Sequence, residues 1–341
     1  MIATTTSGFA PGALDADAIA AAALASLRSA TPSRLHRLFT HFGGPAGALA
    51  AVRAGRASPA LAAEPNGDAI ARRWARDVDP DRVESQLRER GARVFAAGRP
   101  GFPIDLELRD APAVLFAEGD RPEVLDRPRV AVIGTRAATP GGLADAHAIG
   151  RFLAEQGITV VSGLALGVDG AAHRGALEVG GGAIGVVATG LEADYPRRHK
   201  ALFDGVRRHG LLVGEHGFGV PPSRSRFPIR NRIIAALSDA VVVVEATATG
   251  GSRYTVDWAI EYHREVFAVP GSRRNPAAEL CNTLIRDGAH PLLHPSDVVL
   301  ALAQDAPASS GYAAIAADLG GDGGWDRPAV VLSPPARRLF R

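Results

Sequence analysis

The stretch Arg129-Val130-Ala131-Val132-Ile133-Gly134-Thr135-Arg136 marks a change in the character of the chain. A run of β-branched and small apolar residues ends on a glycine, a hydroxyl and a guanidinium, and a helix-length segment follows. The pattern recurs at 159–162, 184–188, 211–213, 240–245 and 266–269. Runs this short, apolar throughout rather than alternating, fit strands buried on both faces, and those are the strands of parallel sheets. Alternation with helix-length segments predicts an α/β fold: an extended Rossmann-like, doubly wound, mainly parallel sheet over residues 77–304.

Reading outward towards the N-terminus, residues 77–128 predict a helix at 79–90, a strand at 93–96, and proline-rich connections through Gly101-Phe102-Pro103 and Ala111-Pro112. Residues 14–76 are Ala-rich and helical in period. Thr31-Pro32-Ser33, Phe42-Gly43-Gly44-Pro45 and Ser58-Pro59 punctuate them as caps, glycine stops and proline starts. Leu35, Leu38, Phe39 and Phe42 fall at helical spacing and read as core. The expectation is a small all-helical domain, SAM- or helix-hairpin-helix-like, preceded by a flexible tail at 1–13. Residues 305–341 have the composition of a linker and short tail.

The single cysteine, Cys281, excludes a disulfide framework and a cysteine-based zinc site, and reads as a small buried hydrophobe on a helix at 278–287. The longest apolar stretch, 18–27, is half a membrane span and lies between Asp17 and Arg28. No basic region precedes it, so a cytoplasmic protein without leader or membrane association is expected.

A net charge of +2 hides an uneven distribution. Between Tyr195 and Arg232 stand Arg197, Arg198, Lys200, Arg207, Arg208, Arg224, Arg226, Arg230 and Arg232 against only Asp204 and Glu215. Such a window is either a solvated face or the footprint of a polyanion. In an open parallel sheet, ligands bind beyond the carboxyl ends of the strands. The turns there carry Gly134-Thr135-Arg136, Ser162-Gly163 with Gly167, Thr189-Gly190, Gly250-Gly251-Ser252 and Pro270-Gly271-Ser272. Small residues at these turns let backbone amides approach phosphate oxygens. Neither the dinucleotide spacing G-x-G-x-x-G nor a Walker motif is present, which argues against a nicotinamide or P-loop enzyme.

Phe227-Pro228-Ile229-Arg230-Asn231-Arg232 predicts a helix opened by Pro228, with Arg230, Asn231 and Arg232 in its first turn. Cations there oppose the helix dipole unless an anion is near, or unless one arginine pairs with Glu215 or Glu245. Tyr195, Phe203 and Phe227 interleave with the cations as single-strand binders require, Phe227 being the best stacking candidate. The histidines show no ligand spacing, Asp169 reads as a cap or first-turn acid, and Glu245 as an arginine partner. No catalytic residue, metal or cofactor is expected.

Taken in order, Ile133-Gly134-Thr135-Arg136, the run from Ser162 to His173, Tyr195-Pro196, Phe227-Pro228-Ile229-Arg230-Asn231-Arg232-Ile233-Ile234-Ala235, Gly251-Ser252 with Thr255, the run from Val266 to Gly271, and Asn282-Thr283-Leu284-Ile285 resemble the DNA-processing protein A (DprA/Smf) family. The resemblance implies a non-enzymatic, sequence-independent binder of single-stranded DNA. Such a protein protects incoming DNA in natural transformation, helps load the RecA recombinase, and acts as a homodimer. It places the DNA site on Arg136, on Arg197, Arg198 and Lys200, and on Arg230 and Arg232. His199, where the family has Asn, and His263, where it has Gly, depart from the pattern. The expectation is that the family's C-terminal winged helix is absent or truncated here, with 332–341 resembling its opening. A rival reading is a nucleotide sensor or a phosphoribohydrolase-like enzyme, which would use Asp257 after Gly250-Gly251-Ser252 with Arg253 and Tyr254 in place of a Gly-Thr pair.

Overall fold

A computed structural model describes residues 14–305 and 310–321. Five helices come first: α1 (Ala16–Ala25), α2 (Pro32–Phe42), α3 (Pro45–Arg53), α4 (Gly67–Asp77) and α5 (Pro80–Arg90). Side-chain caps and glycine stops set their ends, Thr31 and Gly43 being those the sequence punctuation marks. Asp15 accepts from the Ala18 amide and Thr31 from the Arg34 amide, each capping a helix. Gly43 stops α2 in the left-handed conformation (φ 72°), which lacks a Cβ penalty only for glycine.

The sheet follows, as β1 (Arg93–Ala96), β2 (Val114–Glu118), β3 (Arg129–Ile133), β4 (Thr159–Ser162), β5 (Ala183–Val186), β6 (Gly210–Gly214), β7 (Ala240–Val243), β8 (Glu265–Ala268) and the short β9 (His290–Pro291). Between its strands run α6 (Pro140–Glu155), α7 (Val168–Glu178), α8 (Lys200–His209), α9 (Arg226–Ala236), α10 (Ser252–Glu261) and α11 (Glu279–Arg286), and after it α12 (Ser296–Asp305) and α13 (Gly311–Gly321). The strand order is β1-β2-β6-β5-β4-β3-β7-β8-β9, parallel from β6 to β9, with β1 and β2 antiparallel at one edge. The chain leaves β3 in one direction and returns beside it as β7. The topological switch point therefore lies between these two strands.

Both faces are covered, as the unbroken apolar runs require. Along β3, Ala131 and Ile133 pack with Ile233, Ile234 and Val256 of α9 and α10. Val130 and Val132 pack on the other side with Ile149, Leu153 and Ala172 of α6 and α7. The N-terminal helices share their core with the sheet: Leu24, Leu38, Leu61 and Trp74 join Phe116, Phe203 and Leu212 in one buried cluster.

Some expectations change. β2 goes unread because its five residues lie in the proline-rich segment, outside the alternation of strands and helices, and β9, with two residues, is too short to read. Residues 305–341, read as linker and tail, contain α13. Its Tyr312 is buried and donates to Asp239 Oδ2 at 2.9 Å. The expected tail at 1–13 and the stretch 332–341 lie outside the described residues. Helix α9 opens at Arg226 rather than Pro228, because a proline is tolerated anywhere in the first turn, where its missing N–H has no intrahelical partner. Arg230, Asn231 and Arg232 consequently sit in the second turn, beyond the reach of the helix's N-terminal dipole, so their charge calls for no anion there.

Candidate nucleic-acid interface

Beyond the carboxyl end of β3 the chain turns through Gly134, Thr135 and Arg136 into α6. The turn is fixed from below. The Thr135 amide donates to the Glu245 carbonyl at 2.6 Å, and the Gly167 backbone presses against it from the next turn. Gly167 has φ +80°, and a Cβ there would lie 2.2 Å from the Thr135 carbonyl oxygen. Arg136 projects outward, exposed and without an ion pair among the described residues. Its guanidinium carbon lies 5.5 Å from the centre of the Phe227 ring, whose centroid is 5.6 Å from that of Tyr195. Tyr195 is 45% exposed. A cation and two tilted rings thus line the rim beside the switch point.

Arg197 and Arg198 extend this rim in a short 3-10 turn after Tyr195, both exposed and, among the described residues, without acid partners. Lys200 is exposed but pairs with Asp204 one helical turn on, at 2.9 Å. His199 points inwards and bonds through Nδ1 to the Leu164 carbonyl at 3.0 Å, docking the 195–200 segment onto the β4–α7 turn. Phe203 is 1% exposed and belongs to the core, not to a stacking surface.

The residues of the β4–α7 turn behave differently from a phosphate cradle. Ser162 is buried and spends its hydroxyl on the Val132 carbonyl. The Gly163 and Ala165 amides donate to Asp169 Oδ2 at 3.2 and 3.4 Å, so the chain's own carboxylate occupies the place an anion would take. Asp169 is therefore a cap of this turn. Burial pushes its carboxyl above the usual range, while Arg230 and the two amides pull it back.

Arg230 and Arg232, the two arginines on which the sequence placed most weight, both face inwards. Arg230 is 5% exposed. Its Nη1 donates to the carbonyls of Gly163, at 3.1 Å, and Val186, at the ends of β4 and β5. Burial lowers its guanidinium to about 10, with Asp169 opposing the shift. Gly163 has no room for a side chain, because a Cβ would fall 2.5 Å from Arg230 Nη2. Arg232 donates through Nη1 to Glu215 Oε1 at 3.0 Å, through Nη2 to Oε2 at 2.5 Å, and through Nε to the Asp110 carbonyl at 2.8 Å. In this structure neither guanidinium is available to a phosphate. Asn231 reaches the Gly251 carbonyl at 3.3 Å, tying α9 to the exposed Gly251, while Ser252 is buried at the start of α10.

Glu245 was expected to hold an arginine. Instead its carboxylate accepts three neutral donors: the Thr139 amide and hydroxyl, both at 2.8 Å, and Asn275 Nδ2 at 3.2 Å. Sequence reasoning also passed over Arg273 and Arg274, which stand exposed in the loop after β8 at the same sheet edge. Their signal was present as two adjacent arginines after Pro270-Gly271-Ser272. Asp257, the candidate acid of the enzyme reading, is exposed on α10 with Arg253 3.8 Å away. Cys281 is buried and its thiol is pushed up to about 12 by desolvation. Among the described residues, no group of three or more His, Cys, Asp or Glu could hold a metal ion, and no helix is long and apolar enough to cross a membrane.

Comparison with known proteins agrees with this architecture. The model of the DNA recombination-mediator protein A family matches residues 93–303. The DNA processing protein DprA of Streptococcus pneumoniae is 41% identical over 199 residues, covering 58% of this chain and 70% of that protein. The X-ray structure of the S. pneumoniae protein superposes with a TM-score of 0.71 at 30% identity, covering 84% of this chain and 98% of that one. DNA processing protein A of Helicobacter pylori, described for its single-stranded DNA binding mode, gives a TM-score of 0.56 at 29% identity, over 63% of this chain and 97% of that one. With the match running from β1 into α12, the chain belongs to the DNA recombination-mediator protein A, or DprA/Smf, family.

Proposed function

We propose that the chain binds single-stranded DNA without sequence preference along the carboxyl edge of its sheet, acting as a binder rather than a catalyst. The observation that carries this reading is the Arg136–Phe227–Tyr195 arrangement beside the switch point, continued by Arg197 and Arg198, exposed and without acid partners among the described residues. Guanidinium groups hold phosphates in bidentate geometry, and aromatic faces accept any base. Together they bind a strand but do not read it. The family membership and the printed description of the H. pylori relative support the same partner. Gly134, Thr135, Gly251 and Ser252 shape the edge in this reading, and Ser162, Gly163, Gly167, Arg230, Asn231 and Arg232 brace it from within. Protection of incoming DNA in transformation, transfer to a RecA recombinase, homodimer formation and a cytoplasmic setting complete the proposal.

The test is a salt titration of binding to fluorescent oligo-dT, competed with duplex of equal length. Binding should weaken with salt at a log–log slope of about −0.7 per neutralised phosphate. Arg136→Ala should weaken it for all sequences alike and reduce the slope by about 0.7. Binding that duplex displaces as readily as single strand, or an unchanged slope in Arg136→Ala, would overturn the assignment.

A further inference from the structure

The loop after β8 is exposed yet held firmly in place. The Gly271 amide donates to Asn282 Oδ1 at 3.2 Å, and Asn282 Nδ2 returns a bond to the Gly271 carbonyl at 3.0 Å. Asn275, at the other end of the loop, accepts from the Ala277 amide at 3.0 Å and donates to Glu245 Oε1. Between these anchors Arg273 and Arg274 are exposed, and neither has an ion pair among the described residues.

Glu245 gives this loop its relation to the candidate interface. The same carboxylate that takes Asn275 takes both the amide and the hydroxyl of Thr139, the residue that caps α6 and ends the turn carrying Arg136. One buried acid therefore fixes two cationic loops with respect to each other. Its three partners are neutral, so it quenches none of the charge that the loops present. In strand order β8 is two places from β3, with β7 between them. At about 4.8 Å per strand the loop bases are roughly 10 Å apart, the length of about three stacked nucleotides.

We propose that Arg273 and Arg274 form a second phosphate-binding point, engaging the same single strand that crosses Arg136, with the two points held in register by Glu245. The proposal rests on the single-strand reading above. It gives the strand a direction of travel across the sheet edge: from the Arg197–Arg198 rim, over Arg136 at the switch point, to the β8 loop.

The experiment measures binding of an oligo-dT of about twelve nucleotides between about 50 and 200 mM salt, for the wild-type protein, Arg273→Ala/Arg274→Ala, and a charge-matched control, Arg72→Ala/Arg76→Ala. The control removes two exposed arginines from α4, in the helical region. Loss of two phosphate contacts should lower the magnitude of the slope by about 1.4, while the control keeps the wild-type slope. If Arg136→Ala lowers the slope but Arg273→Ala/Arg274→Ala does not, the second point is wrong and the primary site stands. Equal losses in the double variant and the control would reduce the effect to bulk charge and overturn the proposal. Failure of the wild-type protein to bind the oligonucleotide at low salt would overturn the single-strand reading and this proposal with it.

Discussion

Arg232 separates two accounts of the cationic segment, because they assign its charge to different partners. A phosphate contact at Arg232 would make Arg232→Met a binding defect in a stable protein. The structure argues for the reverse. The pair is almost sealed, with side-chain exposures of 3% for Arg232 and 10% for Glu215. Two of the four hydrogen bonds of this guanidinium go to the carboxylate and two to the carbonyls of Asp110 and Ile229. Replacing either charged partner alone leaves the other desolvated and half-satisfied, which costs about 3–5 kcal/mol in comparable buried pairs. Urea unfolding at neutral pH should show a loss of that size for Arg232→Met, and a loss near its lower end for Glu215→Gln, which retains one acceptor. Arg232→Met/Glu215→Leu should recover much of the loss, since it leaves no orphaned charge. The salt slope of single-strand binding should stay at the wild-type value in folded Arg232→Met. A variant within about 1 kcal/mol of wild-type stability, with a slope reduced by about 0.7, would refute the reasoning and return Arg232 to the phosphate side.

Further outcomes follow from particular contacts. Phe227→Ala should cost about 1–3 kcal/mol of single-strand affinity with little change in salt slope, measured by fluorescence anisotropy, because it removes a stacking face and no charge. Gly167→Ala should destabilise the protein by about 1–3 kcal/mol in chemical unfolding, since it combines a left-handed backbone with a Cβ driven into the Thr135 carbonyl. His173 is fully buried, and desolvation lowers its imidazole to about 4. The unfolded chain therefore binds the extra proton between about pH 6.5 and 4, so stability should fall as pH drops through that window, by up to about 3 kcal/mol. His173→Gln should flatten this part of the urea midpoint against pH profile, and an unchanged profile would exclude His173 as its source.

The fold was legible because its signal is local. Six apolar runs between 130 and 269 each correspond to a strand of the parallel sheet, and the cap at Thr31 and the glycine stop at Gly43 sit where the sequence places them. β2 escaped because its identity comes from pairing with β6, nearly a hundred residues on. The candidate site was legible in residue type and not in direction. A guanidinium points inwards only where acceptors converge, and for Arg232 these come from Asp110 and Glu215, for Arg230 from Gly163 and Val186. Glu215, 17 residues before Arg232, is one of the two acids the sequence offers an arginine, whereas Asp110, Gly163 and Val186 are distant in sequence and are assembled by the sheet order. The same holds for Glu245, whose donors Thr139 and Asn275 lie on loops that meet only once β3, β7 and β8 are adjacent.

The inward arginines still bear on the proposed strand. The end of a parallel sheet where ligands collect is also where terminal carbonyl oxygens accumulate, and an anion approaching bare carbonyls would be repelled. Here Arg230 covers the carbonyls of Gly163 and Val186, and Asp169 takes the amides of Gly163 and Ala165. At the ends of β4 and β5 both kinds of backbone dipole are thereby satisfied internally. The β4–α7 turn therefore offers a phosphate no free amide pocket at Gly163 and Ala165, and in the proposed mode the exposed guanidinium groups and rings beside it supply the contacts. That arrangement favours sliding contacts of similar strength at every nucleotide, as a binder indifferent to sequence requires. In the proposed mode, the buried arginines set the surface beside which Arg136, Arg197 and Arg198 would act, and their removal should damage binding only through the fold.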